Sequence, residues 1–221
     1  MIFEAPTEWI SPESFPDLKD HKYIAIDLET RDPGLKARGS GALIGDGEIV
    51  GVAVAVEGWS GYYSFGHKEG NFFDEAVVMR WVKEICALPN VKLFHNAMYD
   101  VCWLRAYGVQ INGHIVDTMV MASLVDENRF HYSLNSLSID YLGQVKDETA
   151  LRAAADKAGI DAKAEMWKLP AMYVGKYAEK DAELTLALFK KLSVEAAHKL
   201  KQQLASQEET LLLEVKKETG L

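Results

Sequence analysis

The sequence is poor in cysteine, in long apolar runs and in basic charge. Its two cysteines, Cys86 and Cys102, form no CxxC pair, and two cysteines in 221 residues make no disulfide framework. A reducing compartment is therefore expected. No apolar stretch approaches the roughly 20 residues that span a bilayer, and the first residues carry acids and prolines where a signal peptide needs a basic start and an apolar run. We therefore expect a cytoplasmic protein without membrane contact.

The charge balance restricts the partners of the chain. The formal net charge is −9 at pH 7, whereas proteins that bind nucleic acid tightly usually cluster Lys and Arg against the phosphates. An acidic chain is expected to bind duplex DNA weakly, but it can act on a strand end where cations and a few local bases neutralise the phosphates. The composition therefore favours a weak nucleic-acid binder that depends on a partner for delivery.

Strands come first along the chain and then alternate with helices. The segments HKYIAIDLET, EIVGVAVAVEG and WSGYYSFG predict three strands, and the short connection between the last two makes them antiparallel neighbours. VKLFHN and IVD predict two shorter strands. This order predicts an α/β domain in which helices flank a mixed five-stranded sheet. We divide the chain into a lead-in over residues 1–20, the domain over 21–192 and a C-terminal helix over 193–221.

Helices are predicted where apolar residues recur at helical spacing. The predicted segments are residues 74–88, AMYDVCWLRAYG, TMVMASL, residues 133–141 capped by Ser133, ETALRAAADKAG and a long helix from about Ala171. The glycine-rich loop over residues 31–47 lacks the GxxxxGK[ST] pattern of a P-loop. It is interpreted either as a flexible hairpin-like entry or as a lip over a strand end, aided by Arg31, Lys36 and Arg38.

Asp27 and Glu29 close the first predicted strand, in the segment DLET. Side chains alternate along a strand, so both carboxylates point to the same side. Like charges this close raise each other's pKa unless a cation lies between them, and hard divalent cations prefer such oxygen ligands. The alternative interpretation is a solvated strand end, since D-x-E alone is common.

Asn96 and Asp100 lie in the segment FHNAMYD. Asn96 follows a strand and precedes a helix, so it is expected to serve as the N-cap. Asp100 lies in the first turn, where the helix dipole favours an anion. Capping and dipole effects alone can explain both residues, so a functional role is one of two interpretations. Asp117 likewise precedes a helix and is predicted to be its N-cap.

Tyr177 and Asp181 lie four residues apart in the segment YAEKD of the long predicted helix, so their side chains share one face. That face continues into Leu184 and Leu188, which are expected to be buried. A carboxylate beside a buried stripe is costly without a partner. Either a functional site or a nearby lysine that holds Asp181 explains it.

The three segments together are more specific than any one of them. Carboxylates from a strand end, a helix start and a helix face can converge above one edge of a sheet, and four carboxylates can hold two Mg²⁺ or Mn²⁺ ions about 3.5–4 Å apart. In-line displacement at phosphorus is the best-known reaction of such a pair. The ordered segments DLET, HNAMYD and YAEKD resemble the three motifs of the DEDDy group of DnaQ-like 3′→5′ exonucleases. The resemblance is strongest to the exonuclease domain of bacteriophage family A DNA polymerases.

The resemblance covers about Tyr23 to Leu192. Tyr177 belongs to the tyrosine branch, since the histidine branch would have histidine where this chain has Lys176. The resemblance implies an RNase H-like fold, two divalent cations (Mg²⁺ or Mn²⁺) and release of nucleoside monophosphates from the 3′ end of single-stranded DNA. It implies proofreading beside a DNA polymerase, in cis or in trans, in a bacterial cell or a phage-infected host. Helix 193–221 would then lead into a polymerase domain.

The resemblance also implies individual roles. Asp27 would bridge both cations, with Glu29 and Asp181 completing the shell of the first cation and Asp100 holding the second. The Tyr177 hydroxyl would orient the attacking water. Contact with the terminal nucleotide is expected of three further residues, Leu28, Thr30 and Asn96.

Two other functions remain open at this point. Exoribonucleases resemble the same motifs, and nothing in the sequence settles a contact with the RNA 2′-hydroxyl. A non-catalytic domain would only bind strand ends or a polymerase. A non-catalytic domain is expected to have lost one or more of the four carboxylates, and all four are present.

Overall fold

The computed structural model of the protein describes residues 7–219, with the backbone alone described at residue 209 and over residues 211–219. Residues 1–6 of the predicted lead-in and residues 220–221 of the predicted C-terminal helix lie outside the described residues.

Five strands form one mixed sheet in the order β3-β2-β1-β4-β5. The strands are β1 Tyr23–Arg31, β2 Glu48–Val56, β3 Trp59–Ser64, β4 Val91–Phe94 and β5 Ile115–Asp117. β2 runs antiparallel to both β1 and β3, whereas β4 runs parallel to β1 and β5 runs parallel to β4. The predicted mixed five-stranded sheet and the antiparallel pairing of β2 with β3 are confirmed.

Helices surround this sheet. They are α1 Leu35–Arg38, α2 Gly41–Ile44, α3 Glu75–Ala87, α4 Ala97–Ala106, α5 Thr118–Val125, α6 Leu134–Leu137, α7 Thr149–Ala158 and α8 Gly175–Thr219. A π-helical turn over Ser138–Leu142 follows α6, and 3₁₀ turns over Met166–Lys168 and Ala171–Tyr173 precede α8. The predicted helix 133–141 is therefore an α turn followed by a π turn, and the predicted loop 31–47 contains α1 and α2.

The two faces of β1 carry different residues, because side chains alternate along a strand. Ile24, Ile26 and Leu28 pack in a core with α3 and α4 on one face. Ala25 on the other face belongs to a core with α7 and α8. Small side chains line this second interface and let α8 approach the sheet closely: Ala25, Ala53, Ala55, Ala178 and Ala182. By the same alternation Asp27 and Glu29 lie on the α8 face.

α8 begins later than predicted, at Gly175 instead of near Ala171. A side chain at position 175 would place its Cβ 2.1 Å from the Trp9 ring, so glycine allows this lead-in tryptophan to cover the start of the helix. Leu184 and Leu188 further along α8 are fully buried, as predicted. Over residues 7–219, no helix combines the length and the apolar character needed to cross a bilayer.

Candidate active site

β1 contributes two acidic side chains at its C-terminal end. Asp27 is paired in register with Ala53 of β2, and Glu29 with Gly51. Glu29 is buried, with 7% of its surface exposed, and Asp27 is partly buried. The register shifts between Glu29 and Thr30. The pairing of β1 with β2 is therefore irregular directly after the second carboxylate and then continues to Arg31, and both carboxylates lie on the sheet face that α8 covers.

α4 contributes Asp100, and its first turn is fixed in an unexpected way. Asn96 occupies the N-cap position but has a left-handed backbone (φ 68°) and makes no side-chain capping bond. The Asp117 carboxylate instead accepts the N–H groups of Asn96 (3.0 Å) and Ala97 (2.8 Å). It also accepts the N–H of Met119 (2.8 Å) at the start of α5. The predicted capping role of Asp117 is thus confirmed, and the prediction of a side-chain cap by Asn96 is wrong.

The Asp100 carboxyl is buried and bonded to β1. The Leu28 N–H donates to Oδ1 of Asp100 over 3.0 Å. Leu28 lies between Asp27 and Glu29, so this bond places the α4 carboxyl next to the two β1 carboxylates.

α8 contributes Tyr177 and Asp181, one helical turn apart. Asp181 is buried at 6% exposure, and its charge acts on the Tyr177 phenol one turn away on the same helix. Burial, followed by the charges of Asp181 and Glu29, raises the pKa of the Tyr177 phenol above its ordinary value. Tyr177 therefore stays neutral and keeps its hydroxyl proton.

Lys146 is the site residue that the sequence did not identify. It lies between the π turn and α7, yet only 6% of its side chain is exposed. Its Nζ lies 2.5 Å from Oδ1 of Asp181 and 5.1 Å from the centre of the Tyr177 ring. A lysine that holds Asp181 was one of the two interpretations open from the sequence. Its identity carried no local signal, because the surrounding segment is polar.

The electrostatics indicate that the four carboxylates share one region. Burial, and then the charges of Asp181, Asp100 and Glu29, raise the pKa of Asp27 well above its ordinary value. Burial, followed by the charge of Asp181, raises the pKa of Glu29 to about 8. Burial raises the pKa of Asp100 to about 8, against the opposing effect of the Leu28 N–H. These carboxylates come from three elements, and their mutual repulsion calls for positive charge between them.

The donor chemistry of this cluster suits hard divalent cations. Among the side chains that the structure describes, no group of three or more Asp, Glu, His or Cys residues is arranged so that it could hold a metal ion, and the Lys146 ammonium provides one positive charge. Three buried carboxylates and one partly buried carboxylate, all with raised pKa values, are nevertheless the oxygen ligands that Mg²⁺ and Mn²⁺ prefer. Asp27, Glu29, Asp100 and Asp181 therefore fit such ions chemically.

The three residues expected to contact substrate occupy different environments. Leu28 is buried on the α3–α4 face of β1. The Thr30 hydroxyl is bonded to the Tyr99 hydroxyl over 2.6 Å, and Asn96 is exposed at the start of α4. Thr30 and Leu28 also line a groove that passes Glu29.

That groove, here called the β1 groove, has a volume of about 890 Å³ and runs between the loop after β1 and the segment before α8. Five basic residues line it: Arg31, Lys36, Arg152, Lys163 and Lys168. The Arg31 guanidinium lies 5.2 Å from the centre of the Trp167 ring. Acidic residues, including Asp32 and Glu165, offset part of the positive charge. Arg38, also considered for a lip, forms an ion pair with Asp46 instead.

Comparison with known proteins decides the family. A family model described as a 3′–5′ exonuclease, from the exonuclease domain of family A DNA polymerases, matches residues 11–197. The chain belongs to this 3′–5′ exonuclease family. The match spans all three acidic segments and both faces of the sheet, so the family resemblance drawn from the sequence is confirmed.

A polymerase relative extends beyond this exonuclease domain. The DNA-directed DNA polymerase of Pseudomonas phage M6 is 33% identical over 192 residues, which cover 84% of this chain and 29% of the polymerase. The exonuclease chain thus spans about three tenths of the length of this relative.

Solved structures show the fold of the exonuclease. NrnC from Brucella melitensis, in a structure with bound Mg²⁺, superposes with a TM-score of 0.57 at 15% identity, covering 86% of this chain and 82% of NrnC. Escherichia coli RNase D, an exoribonuclease involved in structured RNA processing, gives a TM-score of 0.55 at 17% identity, covering 88% and 44%. The predicted RNase H-like fold is confirmed.

Proposed function

We propose that this exonuclease removes nucleotides one at a time from the 3′ end of single-stranded DNA and releases nucleoside monophosphates. We further propose that it proofreads beside a DNA polymerase, in cis or in trans. One observation carries the proposal: at the C-terminal end of β1, carboxylates from β1, α4 and α8 act on one another electrostatically, with a neutral tyrosine beside them.

Four residues are assigned to cation binding in this proposal: Asp27, Glu29, Asp100 and Asp181. Bound Mg²⁺ or Mn²⁺ would lower the pKa of a water molecule and offset negative charge on the scissile phosphate. Burial of the carboxylates supports this assignment, because weak solvent screening strengthens their interaction with a cation.

Tyr177 is assigned to positioning the attacking water. Its raised pKa keeps the phenol neutral, so the hydroxyl can hold a water through a hydrogen bond without accepting its proton. Tyr177 precedes Asp181 by four residues on α8, so the two side chains share one face of the helix. The phenol therefore lies against a carboxylate from the same helix turn, close to the proposed cations.

The β1 groove is assigned to the DNA strand, with Thr30, Asn96 and Leu28 at the terminal nucleotide. A groove lined by aromatic rings and basic side chains suits a single strand. The nucleobases stack on the rings, while the basic side chains contact the phosphates. The acidic residues in the groove and the net charge of −9 favour weak binding. Delivery of the strand end by a polymerase would compensate for that weakness.

The test is digestion of a 5′-labelled single-stranded oligonucleotide with Mg²⁺ or Mn²⁺, with EDTA as the control. Wild-type protein should give a ladder that shortens from the 3′ end, and Asp27→Ala should give none while remaining folded. Asp20→Ala, an exposed acidic position in the lead-in, is the matched control and should retain the ladder. Full activity of Asp27→Ala would overturn the site assignment.

The same assay separates the other two functions. An RNA oligonucleotide of the same sequence that is cut faster than the DNA would identify an exoribonuclease. Binding of strand ends without release of mononucleotides would identify a non-catalytic module.

A further inference from the structure

Lys146 reaches the carboxylate cluster from an exposed part of the chain. Gly143, Gln144 and Val145 before it and Asp147 after it are all exposed, whereas 94% of the Lys146 side chain is covered, since 6% is exposed. An ammonium group is rarely buried unless it is paired. The side chain is therefore directed inward by its partners and not by the polarity of its own segment.

The charge of Lys146 acts on more than one carboxylate. Its Nζ contacts Oδ1 of Asp181 on α8 at 2.5 Å. It also opposes the upward pKa shifts of Asp27 and Glu29 on β1. One ammonium therefore neutralises part of the negative charge from two elements, which is what a bound cation would do.

An ammonium and a divalent cation compete for the same oxygen atoms. Two positive charges that both lie close to Asp181 repel each other, and the repulsion is stronger where little water screens them. A lysine side chain has four flexible carbons, so its charge can move away while its backbone stays in place.

We propose that Lys146 is the resident counter-ion of the carboxylate cluster. It holds Asp181 in the metal-free protein and leaves this carboxylate when a divalent cation binds. Lys146 is thus a positioning residue that lowers cation affinity and keeps the metal-free cluster folded. This inference rests on the proposed role of the four carboxylates as cation ligands.

The chain contains a matched control for Lys146. The Nζ of Lys163 lies 5.7 Å from the centre of the same Tyr177 ring. Its side chain is 51% exposed, and it pairs with Glu148 at 2.9 Å. Lys163→Met thus removes an ammonium from the same ring without removing a direct partner of Asp181.

The experiment measures Mn²⁺ affinity by isothermal titration calorimetry without nucleic acid, for wild type, Lys146→Met and Lys163→Met. Lys146→Met should bind Mn²⁺ about tenfold more tightly than wild type, a factor equivalent to ~1.4 kcal/mol. Lys163→Met should tighten binding by less than Lys146→Met, because the Lys163 charge also acts on Asp181 and Glu29 but from a half-exposed side chain that water screens. Lys146→Gln is the second variant if the methionine variant does not fold.

Thermal melting provides an independent readout. In EDTA the melting temperature of the Lys146 variant should be below that of wild type, and Mn²⁺ should raise it by more than it raises the wild-type value. If both Lys146 variants bind Mn²⁺ as weakly as wild type or more weakly, the inference is wrong. The proposed function would still stand in that case, because the wild-type protein binds Mn²⁺. If neither wild type nor the variants bind Mn²⁺, the proposed cation site itself is wrong.

Discussion

The backbone N–H of Leu28 donates a 3.0 Å hydrogen bond to Oδ1 of Asp100. Asp100 comes from α4, and Leu28 separates the two β1 carboxylates, so a single bond joins two of the three elements that form the site. An amide oxygen can accept the same bond, whereas a methyl group cannot. Structural and chemical roles of Asp100 can therefore be separated by mutation.

Asp100→Asn should abolish cleavage while retaining wild-type stability, because the amide oxygen still accepts the Leu28 N–H. Asp100→Ala should lose cleavage and also about 1–3 kcal/mol of unfolding free energy, the cost of a buried donor without a partner. Urea unfolding in EDTA measures the stability, and digestion of single-stranded DNA measures the activity. Equal stability of the two variants would show that the bond to Leu28 contributes nothing to the fold.

Tyr177→Phe should lower the turnover number by about 10- to 100-fold, at or below the usual contribution of a positioned proton-handling group. Mn²⁺ affinity should stay unchanged, since the phenol is not assigned as a ligand. Tyr23→Phe is the control, because that ring packs against Phe189 at 4.7 Å between centres. Single-turnover kinetics measure the effect, and a wild-type rate for the Tyr177→Phe variant would remove Tyr177 from the mechanism.

The stability of the metal-free protein should depend on pH through Glu29. Burial and neighbouring carboxylates raise its pKa to about 8, above the ordinary value of 4.5. The folded state therefore holds this proton more tightly, so the stabilisation is complete below about pH 4.5 and is lost as pH rises through about 8.

In EDTA the melting temperature of wild type should accordingly fall relative to that of Glu29→Gln between about pH 5 and pH 8. The pKa of Asp100, also raised to about 8 by burial, should leave a smaller slope in the variant. Mn²⁺ should reduce the slope in wild type because it binds the ionised carboxylates. Parallel melting curves for the two proteins would contradict the prediction.

Trp167→Ala should weaken binding of single-stranded DNA by about 5- to 150-fold, from the ~1–3 kcal/mol that one stacked base contributes. The effect should appear in KM, with kcat nearly unchanged, because Trp167 lies in the β1 groove and is not assigned to cation binding or to the attacking water. Trp167→Phe keeps a stacking ring and should lose much less. A wild-type KM for Trp167→Ala would exclude a base from this part of the groove.

Local geometry explains how much of the site was predictable. The period of two in β1 is sufficient to put Asp27 and Glu29 on one face, and the i to i+4 spacing in α8 is sufficient to align Tyr177 with Asp181. Both patterns depend on residues close in sequence. The roles assigned to these residues stay predictions until the variants are assayed.

Contacts between distant segments explain what was missed. Lys146 lies 35 positions before Asp181 in the chain, and nothing in its polar segment indicates an inward side chain. Asn96 is a residue type that commonly caps helices, yet the Asp117 carboxylate accepts the hydrogen bonds from the N–H groups at the start of α4. A side chain that is distant in sequence thus makes the capping hydrogen bonds in place of Asn96. Sequence spacing alone does not reveal such a replacement.

Asp117 serves two helices at once, because its oxygens accept N–H groups at the starts of both α4 and α5. A mutational scan that measures only loss of DNA digestion would therefore group Asp117 with the proposed metal ligands. The Asp117 oxygens, however, already accept hydrogen bonds from backbone N–H groups. Heat lability with undiminished Mn²⁺ uptake would distinguish such a scaffold defect from a chemical one. In this domain, loss of activity on removal of an acid is not by itself a criterion for a metal ligand.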